Sequence, residues 1–299
     1  MEGGANGRII KVINFMASHP AESFTVSEIS ERLSLSFGSA HRVLMSLSEA
    51  GYLARHPKHK TYSLGFTLIA IGQVALEKHK VVNIAQQEMA KVAAELGTEC
   101  MVSVITGDEV LYLAKRGSPA EHSGVTRIGD RRPLVPPVGM CHIAWSSTAS
   151  IEAYLQRATS GFSTSMRTYL EQAIAAIRAR GYSISTLDQG INALSRLVAD
   201  HVDSYQSPEY WAAMDEALGK LSQNEIQLLS LDDLGAARIS HISVPVFSPS
   251  GEVILELTLA GLPLTMEQTE IEARISRMRA AADYVTSEVH GRKPSLLMA

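Results

Sequence analysis

The 299-residue sequence predicts an α+β protein with an N-terminal winged helix-turn-helix, a linker helix, and a C-terminal antiparallel sheet domain covered by helices. Three observations lead there. Residues 25–64 read as two short amphipathic helices joined by a tight turn, followed by a strand, a basic turn and a second strand. An unusually apolar helical stretch comes directly after Gly65. Beyond Gly97, strand pairs separated by helices close on one long helix, the pattern of an antiparallel sheet with helices packed over it.

The first helix spans residues 8–18, with Ile9, Val12, Ile13 and Met16 on one side. The next opens on a capping box, in which Thr25 caps the amide three residues on and Glu28 reaches back. Val26, Ile29 and Leu33 then recur at helical spacing. Ser34-Leu35-Ser36 makes the turn, with Leu35 as a buried plug and Ser36 as the cap of the following helix. That helix buries Ala40, Val43, Leu44 and Leu47, which leaves Ser36, Ser39, His41 and Arg42 for an outward face. Gly51 ends it in a left-handed conformation. Gly38 costs about 1 kcal/mol against Ala inside a helix, so it either admits a close backbone approach or marks a later helix start. Residues 52–55 and 61–64 bracket His56-Pro57-Lys58-His59-Lys60, a hairpin with a basic tip.

This pattern points to duplex DNA. In a winged helix-turn-helix the second helix reads bases while the wing grips phosphates. Short hydroxyl side chains bond either phosphates or base edges, and arginine is the commonest reader of guanine. The candidate DNA contacts are therefore Thr25, Ser36, Ser39, His41 and Arg42, with Arg42 foremost, together with Arg55, Lys58 and Lys60 on the wing. A bare helix pair is a common structural element that need not touch DNA, and a protein-interaction module would equally explain the apolar linker. Neither accounts for a cationic hairpin placed immediately after the pair. Charge agrees with a DNA-facing head. Residues 1–80 carry nine Lys/Arg against six Asp/Glu, leaving 18 basic against 25 acidic residues in the remainder. A head of only +3 gives modest non-specific affinity, so dimerisation must supply much of the binding.

Residues 65–80 form the linker. Phe66, Leu68, Ile69, Ile71, Val74, Ala75 and Leu76 make it apolar on more than one side, which suits contact with a second copy of the chain better than exposure to water. A helix over 81–96 ends at Gly97, and a hairpin over 99–116 turns at Gly107-Asp108. Residues 126–134 are a further strand candidate, 166–180 a helix and 182–187 a strand. A second hairpin joins 241–247 to 253–260. The last helix is capped by Thr265 with Gln268 as its box partner and runs to about residue 290. Residues 190–237, with Tyr205, Tyr210, Trp211, Met214 and Leu218, break this rhythm and read as a largely helical insertion. The expected domains are thus 1–64, 65–80 and 81–299.

Cys100 and Cys141 are too few for a disulfide framework, residues 1–7 are polar and glycine-rich rather than a signal peptide, and no apolar run reaches the length of a membrane span. The expectation is a soluble cytoplasmic protein. His142 beside Cys141 invites a nucleophile or metal reading, but adjacent residues on one element point apart and no second Cys/His pair lies at ligand spacing. With no glycine-rich phosphate loop and no nucleophile elbow either, neither an enzyme nor a cofactor or metal is expected.

TVSEISERL, SAHRVLMSL, EAGYL and the YSLG that closes the wing resemble the IclR family of bacterial transcription regulators, as do Arg180-Gly181-Tyr182 and the run SVPVFSPSGEVILELTLAG from Ser243 to Gly261. The resemblance covers most of the chain outside the insertion. It implies a dimerising linker helix, a GAF-like effector-binding domain, dimers or tetramers on pseudo-palindromic operators, and a repressor's role. The sequence departs from the family where a ligand would sit. Residues 133–140 lack a small-residue run, Ser185-Thr186 stands where an acidic residue is usual, His241 where a cysteine is frequent, and Thr258 and Ala260 where serines occur. The expected pocket lies over the inner sheet face, bounded by Val138, Gly139, Met140 and Cys141 on the helix side. Ser185, His241, Ser243 and Thr258 are its polar groups, on strands whose alternate residues face inward. More Val, Met and Pro implies a larger or less polar effector than the smallest oxo acids, such as an aromatic or other weakly polar organic acid.

Overall fold

The computed structural model describes residues 5–118, 126–157, 164–187, 227–233 and 238–294, with isolated positions 197, 212, 213 and 216. The N-terminal lobe holds α1 (Ala5–Ser18), α2 (Val26–Arg32), α3 (Phe37–Glu49), β1 (Leu53–Arg55) and β2 (Tyr62–Leu64). The capping box at Thr25 forms as the sequence requires: Thr25 Oγ1 accepts the Glu28 amide at 3.3 Å, and the Glu28 carboxylate accepts the Thr25 amide at 2.7 Å. Val12, Phe15, Met16, Phe24, Ile29, Leu33, Ala40, Leu44, Leu47, Leu53 and Tyr62 form one core, so α1 and the base of the wing pack on the helix pair. β1 and β2 pair antiparallel, with Leu53 opposite Leu64 and Arg55 opposite Tyr62.

Helix α4 (Phe66–Lys78) leads out of the wing and buries none of its residues, with Phe66 85 % and Val74 67 % exposed. Helix α5 (Lys80–Leu96) ends at Gly97, whose φ of +62° supplies the left-handed cap. The sheet is built from β3 (Glu99–Thr106), β4 (Glu109–Arg116), β5 (Arg131–Pro133), β6 (Ser183–Leu187), β7 (Arg238–Phe247) and β8 (Val253–Ala260), in the order β5-β4-β3-β8-β7-β6. Every pairing is antiparallel. One sheet face packs on α5 and the final helix α9 (Gln268–Glu288), burying Cys100, Val102, Ile184, Ile242, Val244, Val246, Leu255, Leu257 and Leu259 against Met89, Val92, Met278 and Val285. Over the other face lie α6 (Met140–Ile143), α7 (Thr148–Gln156) and α8 (Thr164–Arg180), whose core includes Val110, Leu134, Met140, Ile143, Tyr154, Leu170 and Ile177. A short 3-10 turn spans Leu231–Asp233.

Three sequence expectations need correction. The strand expected over 126–134 is only Arg131–Pro133, because residues 126–130 close a turn in which Asp130 Oδ2 accepts the Arg127 amide at 2.7 Å and Gly129 takes a φ of +90°. Helix α9 starts later than Thr265 predicts. Its N-cap is Glu267, whose amide donates to Glu270 at 2.9 Å in a capping box two residues further along. The helix covering of the sheet also includes α6 and α7, too short to stand out by periodicity. The helical insertion expected over 190–237 lies largely outside the described residues.

Gly65 and Gly38 make opposite demands. A methyl group on Gly65 would meet the Gly51 carbonyl oxygen at 2.2 Å, whereas one on Gly38, inside α3, would meet nothing within 4 Å. Gly65→Ala should therefore destabilise the N-terminal lobe by more than about 2 kcal/mol, while Gly38→Ala should stabilise it by up to about 1 kcal/mol. Urea titration of the two variants checks this pair of opposite signs.

Candidate functional site

Two surfaces carry chemistry. On the N-terminal lobe, α3 begins at Phe37 with Ser36 as its N-cap, and the Ser36 side chain makes no capping bond. Ser36, Gly38, His41 and Arg42 are exposed, as is Phe37 at 57 %, its ring stacked on His41 with centroids 6.4 Å apart. Phe37 was not singled out from the sequence. Its signal was an aromatic residue at the first helical position when Leu35, Ala40 and Leu44 already supplied the core side. Ser39 does not share the outward face: it is buried, because Arg8 reaches across from α1 and donates to its hydroxyl. Thr25 is also engaged, its hydroxyl donating to Glu28 at 2.8 Å while accepting the Glu28 amide.

The wing tip is ordered by its own histidine. His56 Nδ1 accepts the amides of Lys58 at 3.2 Å and His59 at 3.1 Å, and Lys60 turns the chain back at a φ of +58°. Arg55, Lys58 and Lys60 are all exposed, and Arg55 lies 5.7 Å from the centroid of the Tyr62 ring. The exposed end of α3 and this cationic hairpin thus belong to one lobe with a shared core.

The second surface is the sheet face opposite α5 and α9. Register places its members without ambiguity. Ser185 pairs with His241, Ser183 with Ser243, Ser243 with Thr258, Thr258 with Met101, Glu256 with Ser103, and Ser103 with Tyr112. Cross-strand partners point to the same side, so these residues share one face, as does Arg132 on β5 opposite Val110. Ser185, His241, Ser243 and Thr258 are therefore brought together as the alternation predicts. Gly139 opens α6 at a φ of +83°, Met140 and Cys141 are buried on that helix, and the Val138 carbonyl accepts from Tyr154 at 2.8 Å.

The centre of this face is a group that sequence reading passed over. Glu256 accepts from Thr258 Oγ1 at 3.2 Å, and Thr258 Oγ1 lies 2.8 Å from Ser243 Oγ. With the Thr258 proton directed at the carboxylate, Ser243 must donate to Thr258, giving a hydroxyl chain that ends on Glu256. From α6, His142 Nε2 lies 3.6 Å from Glu256 and 3.4 Å from Ser103 Oγ, while its Nδ1 is buried with no hydrogen-bond partner. Burial depresses the His142 pKa against the opposing pull of Glu256, so the ring is neutral near pH 7. At the far end Arg132 lies 5.1 Å from the centroid of the Tyr112 ring and donates to Thr126 Oγ1 at 2.6 Å. Lys115, the other cation here, is paired with Glu99 at 2.6 Å. At the β6 edge of this face, Gln227 Oε1 accepts from Ser183 at 3.1 Å and from Ser185 at 3.3 Å.

Burial and the Glu256 charge hold the Cys141 thiol well above the ordinary thiol range, and burial pushes Cys100 up to about 12, so neither is a thiolate near neutrality. Among the described residues no group of three or more His, Cys, Asp and Glu could hold a metal ion, and no helix is long and apolar enough to cross a membrane.

The depressed His142 pKa makes stability depend on pH with a definite sign. The unfolded chain binds a proton near pH 6.5 that the folded state takes up only at lower pH, so stability should fall as pH drops below about 6.5 and level off once the folded pKa is passed. His142→Gln should reduce the loss, leaving a part from His241, which burial shifts the same way. Urea midpoints of wild type and variant at pH 7.5 and 5.5 test this.

The comparisons with known proteins join the two surfaces in one family. Residues 7–57 match the IclR helix-turn-helix domain, and residues 73–206 match the bacterial transcriptional regulator IclR C-terminal domain. Among curated relatives, the HTH-type transcriptional regulator XynR of Escherichia coli is 23 % identical over 201 residues, 65 % of this chain and 79 % of the relative. The HTH-type transcriptional regulator KipR of Bacillus subtilis is 28 % identical over 171 residues, 54 % of this chain and 67 % of the relative. An IclR transcriptional regulator from Alicyclobacillus acidocaldarius has the same fold, with a TM-score of 0.68 at 19 % identity, covering 96 % of this chain and 98 % of the other. An IclR homolog from Microbacterium hydrocarbonoxydans, solved in complex with 4-hydroxybenzoate, gives a TM-score of 0.65 at 19 % identity over 96 % of this chain and 99 % of the other. With a matching helix-turn-helix, a matching C-terminal domain and the fold of solved members over nearly its whole length, the chain belongs to the IclR family of bacterial transcriptional regulators.

Proposed function

We propose that the chain is a cytoplasmic, non-enzymatic repressor that binds a pseudo-palindromic operator as a dimer or tetramer and is controlled by a small organic acid in its C-terminal domain. The observation that carries the DNA half is the exposed start of α3, with Ser36, Phe37, His41 and Arg42 accessible on the lobe that also presents Arg55, Lys58 and Lys60. Of the residues expected to touch DNA, Ser39 is buried beneath Arg8, while Thr25 caps α2 and is half-buried. Division of the chain into residues 1–64, 65–80 and 81–299 follows the separate cores and the uncovered helix between them.

Control by a ligand is supported by the polar sheet face and by the turn at 126–130, which touches both lobes. Arg132 donates to Thr126 in this turn, and Arg127 Nη1 donates to the Ser18 carbonyl at the end of α1 at 3.2 Å. An effector alters operator affinity only through different affinities for the DNA-competent and DNA-incompetent states, and a turn shared by both lobes is a place where those states can differ. Repression agrees with the DNA-binding transcriptional repressor YiaJ of Escherichia coli, 21 % identical over 285 residues. An organic acid agrees with the 4-hydroxybenzoate bound to the Microbacterium homolog.

Arg42→Ala should weaken operator binding by about 1–3 kcal/mol, whereas Lys58→Ala should weaken all sequences alike and lower the salt slope by about one. Mobility-shift titrations on operator and scrambled duplex at two salt concentrations distinguish these. Unchanged operator affinity for Arg42→Ala removes it as the reader.

The uncovered apolar side of α4 supports self-association through residues 66–76. One winged helix reads a short site, and a two-fold pair supplies the second half-site. Sedimentation at micromolar concentration should show a dimer or tetramer for wild type and a lighter species for the double variant Phe66→Glu, Val74→Glu.

A further inference from the structure

Among the described residues, the polar sheet face presents two opposite charges, Glu256 and Arg132, that no Lys, Arg, Asp or Glu pairs. Glu256 has hydroxyl and imidazole partners but, among the described residues, no Lys or Arg within 4.0 Å. Arg132 is held over Tyr112 and bonded to Thr126, and among the described residues it makes no ion pair. Arg132 lies 5.1 Å from the centroid of the Tyr112 ring, Tyr112 stands opposite Ser103, and Ser103 stands opposite Glu256, so one row across the polar face links the two charges. Asp130 also senses Arg132, but its carboxylate is engaged by the Arg127 amide at 2.7 Å. The Glu256 side chain is 13 % exposed, and the nearby His142 Nδ1 is buried with no hydrogen-bond partner among the described residues, so both are short of the partners that water would supply. A ligand that supplied the missing partners would relieve both.

Taking the effector reading above as its basis, we propose that this polar face binds a two-ended carboxylic acid, its carboxylate on Arg132 and a hydrogen-bond donor, hydroxyl or ammonium, on Glu256. The order of charges sets specificity in both directions. A donor at the Glu256 end gains a charge-assisted bond. A second carboxylate there meets a like charge in a poorly solvated site and is rejected. A ligand with neither group at that end leaves the carboxylate desolvated and unpaired, which disfavours it as well. This narrows the weakly polar acid expected from the sequence to an acid with a polar far end.

Matched probes test the proposal on the full-length protein by calorimetry: 4-hydroxybenzoate, benzoate, 4-hydroxybenzamide and terephthalate, alongside 4-hydroxybutyrate, 4-aminobutyrate, butyrate and succinate. The aliphatic pair with hydroxyl and ammonium ends distinguishes the two kinds of donor. In at least one series, the acid carrying a donor should bind about tenfold or more tighter than its plain, amide and dicarboxylate counterparts. Glu256→Gln should abolish the discrimination against the dicarboxylate, Arg132→Gln should abolish the preference for acid over amide, and Glu256→Asp should retain the charge selectivity. Thermal melts of each variant confirm folding. The proposal is overturned if no donor-bearing acid binds at millimolar concentration, if plain acids or dicarboxylates bind as well as donor-bearing ones, or if Glu256→Gln leaves the selectivity intact. Operator affinity of the unliganded wild type is measured in the same series: its absence sinks the regulator reading, whereas lost selectivity with operator binding intact sinks only this one.

Discussion

The pairing register of β3, β8 and β7 is the constraint on which the C-terminal domain depends. Where these strands pair, Val102, Leu257 and Val244 face α5 and α9 while Ser103, Glu256 and Ser243 lie on the opposite face, toward α6. Because side chains alternate with a period of two, a slip of one residue would put Glu256 into the apolar core and Leu257 against His142. Burial of the apolar row therefore fixes the polar row at the same time. The hydroxyl chain from Ser243 through Thr258 to Glu256 exists because β7 and β8 are held in that one register. Specificity for a ligand and stability of the domain thus rest on the same pairing, which explains how polar groups survive in the middle of a sheet without being traded for hydrocarbon.

The N-terminal lobe solves a different problem with a small core. Its helices are short, so caps and cross-element contacts hold what helix propensity alone would not. The Thr25–Glu28 box starts α2, Arg8 ties α1 to α3 through Ser39, and Phe24 bridges α1 to β2, its carbonyl accepting the Tyr62 amide at 2.7 Å. These contacts occupy side chains that would otherwise be available to a partner. Phe37, His41, Arg42 and the wing remain outward, on a lobe whose shape these contacts set.

Much of this was legible in the sequence. The helix pair, the wing, both long hairpins and the apolar linker announce themselves by periodicity, because each is fixed by local alternation and by glycine at positions 51, 97 and 181, where φ is +74°, +62° and +87°. Ser185, His241, Ser243 and Thr258 followed from strand alternation together with the family resemblance. Glu256 carried a visible signal, a single acid inside VILELTLA, but an isolated charge in a strand is read as solvent-facing until a partner is known. His142 was set aside because adjacent Cys141 points away from it and no second Cys/His pair lies at ligand spacing; its partners Ser103 and Glu256 are distant in sequence. The two candidate boxes before α9, Thr265 with Gln268 and Glu267 with Glu270, have identical spacing, and only the path of the chain out of β8 selects the second.

The sequence by itself determined the kinds of elements and their order, since caps, turns and apolar repeats act over a few residues and are written where they act. It also determined which strand residues share a side. The tertiary structure alone decided which polar groups meet. Ser39 turns from a DNA contact into a buried anchor because Arg8, 31 residues away, crosses over it. Glu256, Ser103 and His142 converge from β8, β3 and α6 because α6 lies across the sheet. Long-range convergence of this kind depends on sheet order and curvature, which are properties of the packed whole and leave no period in the chain.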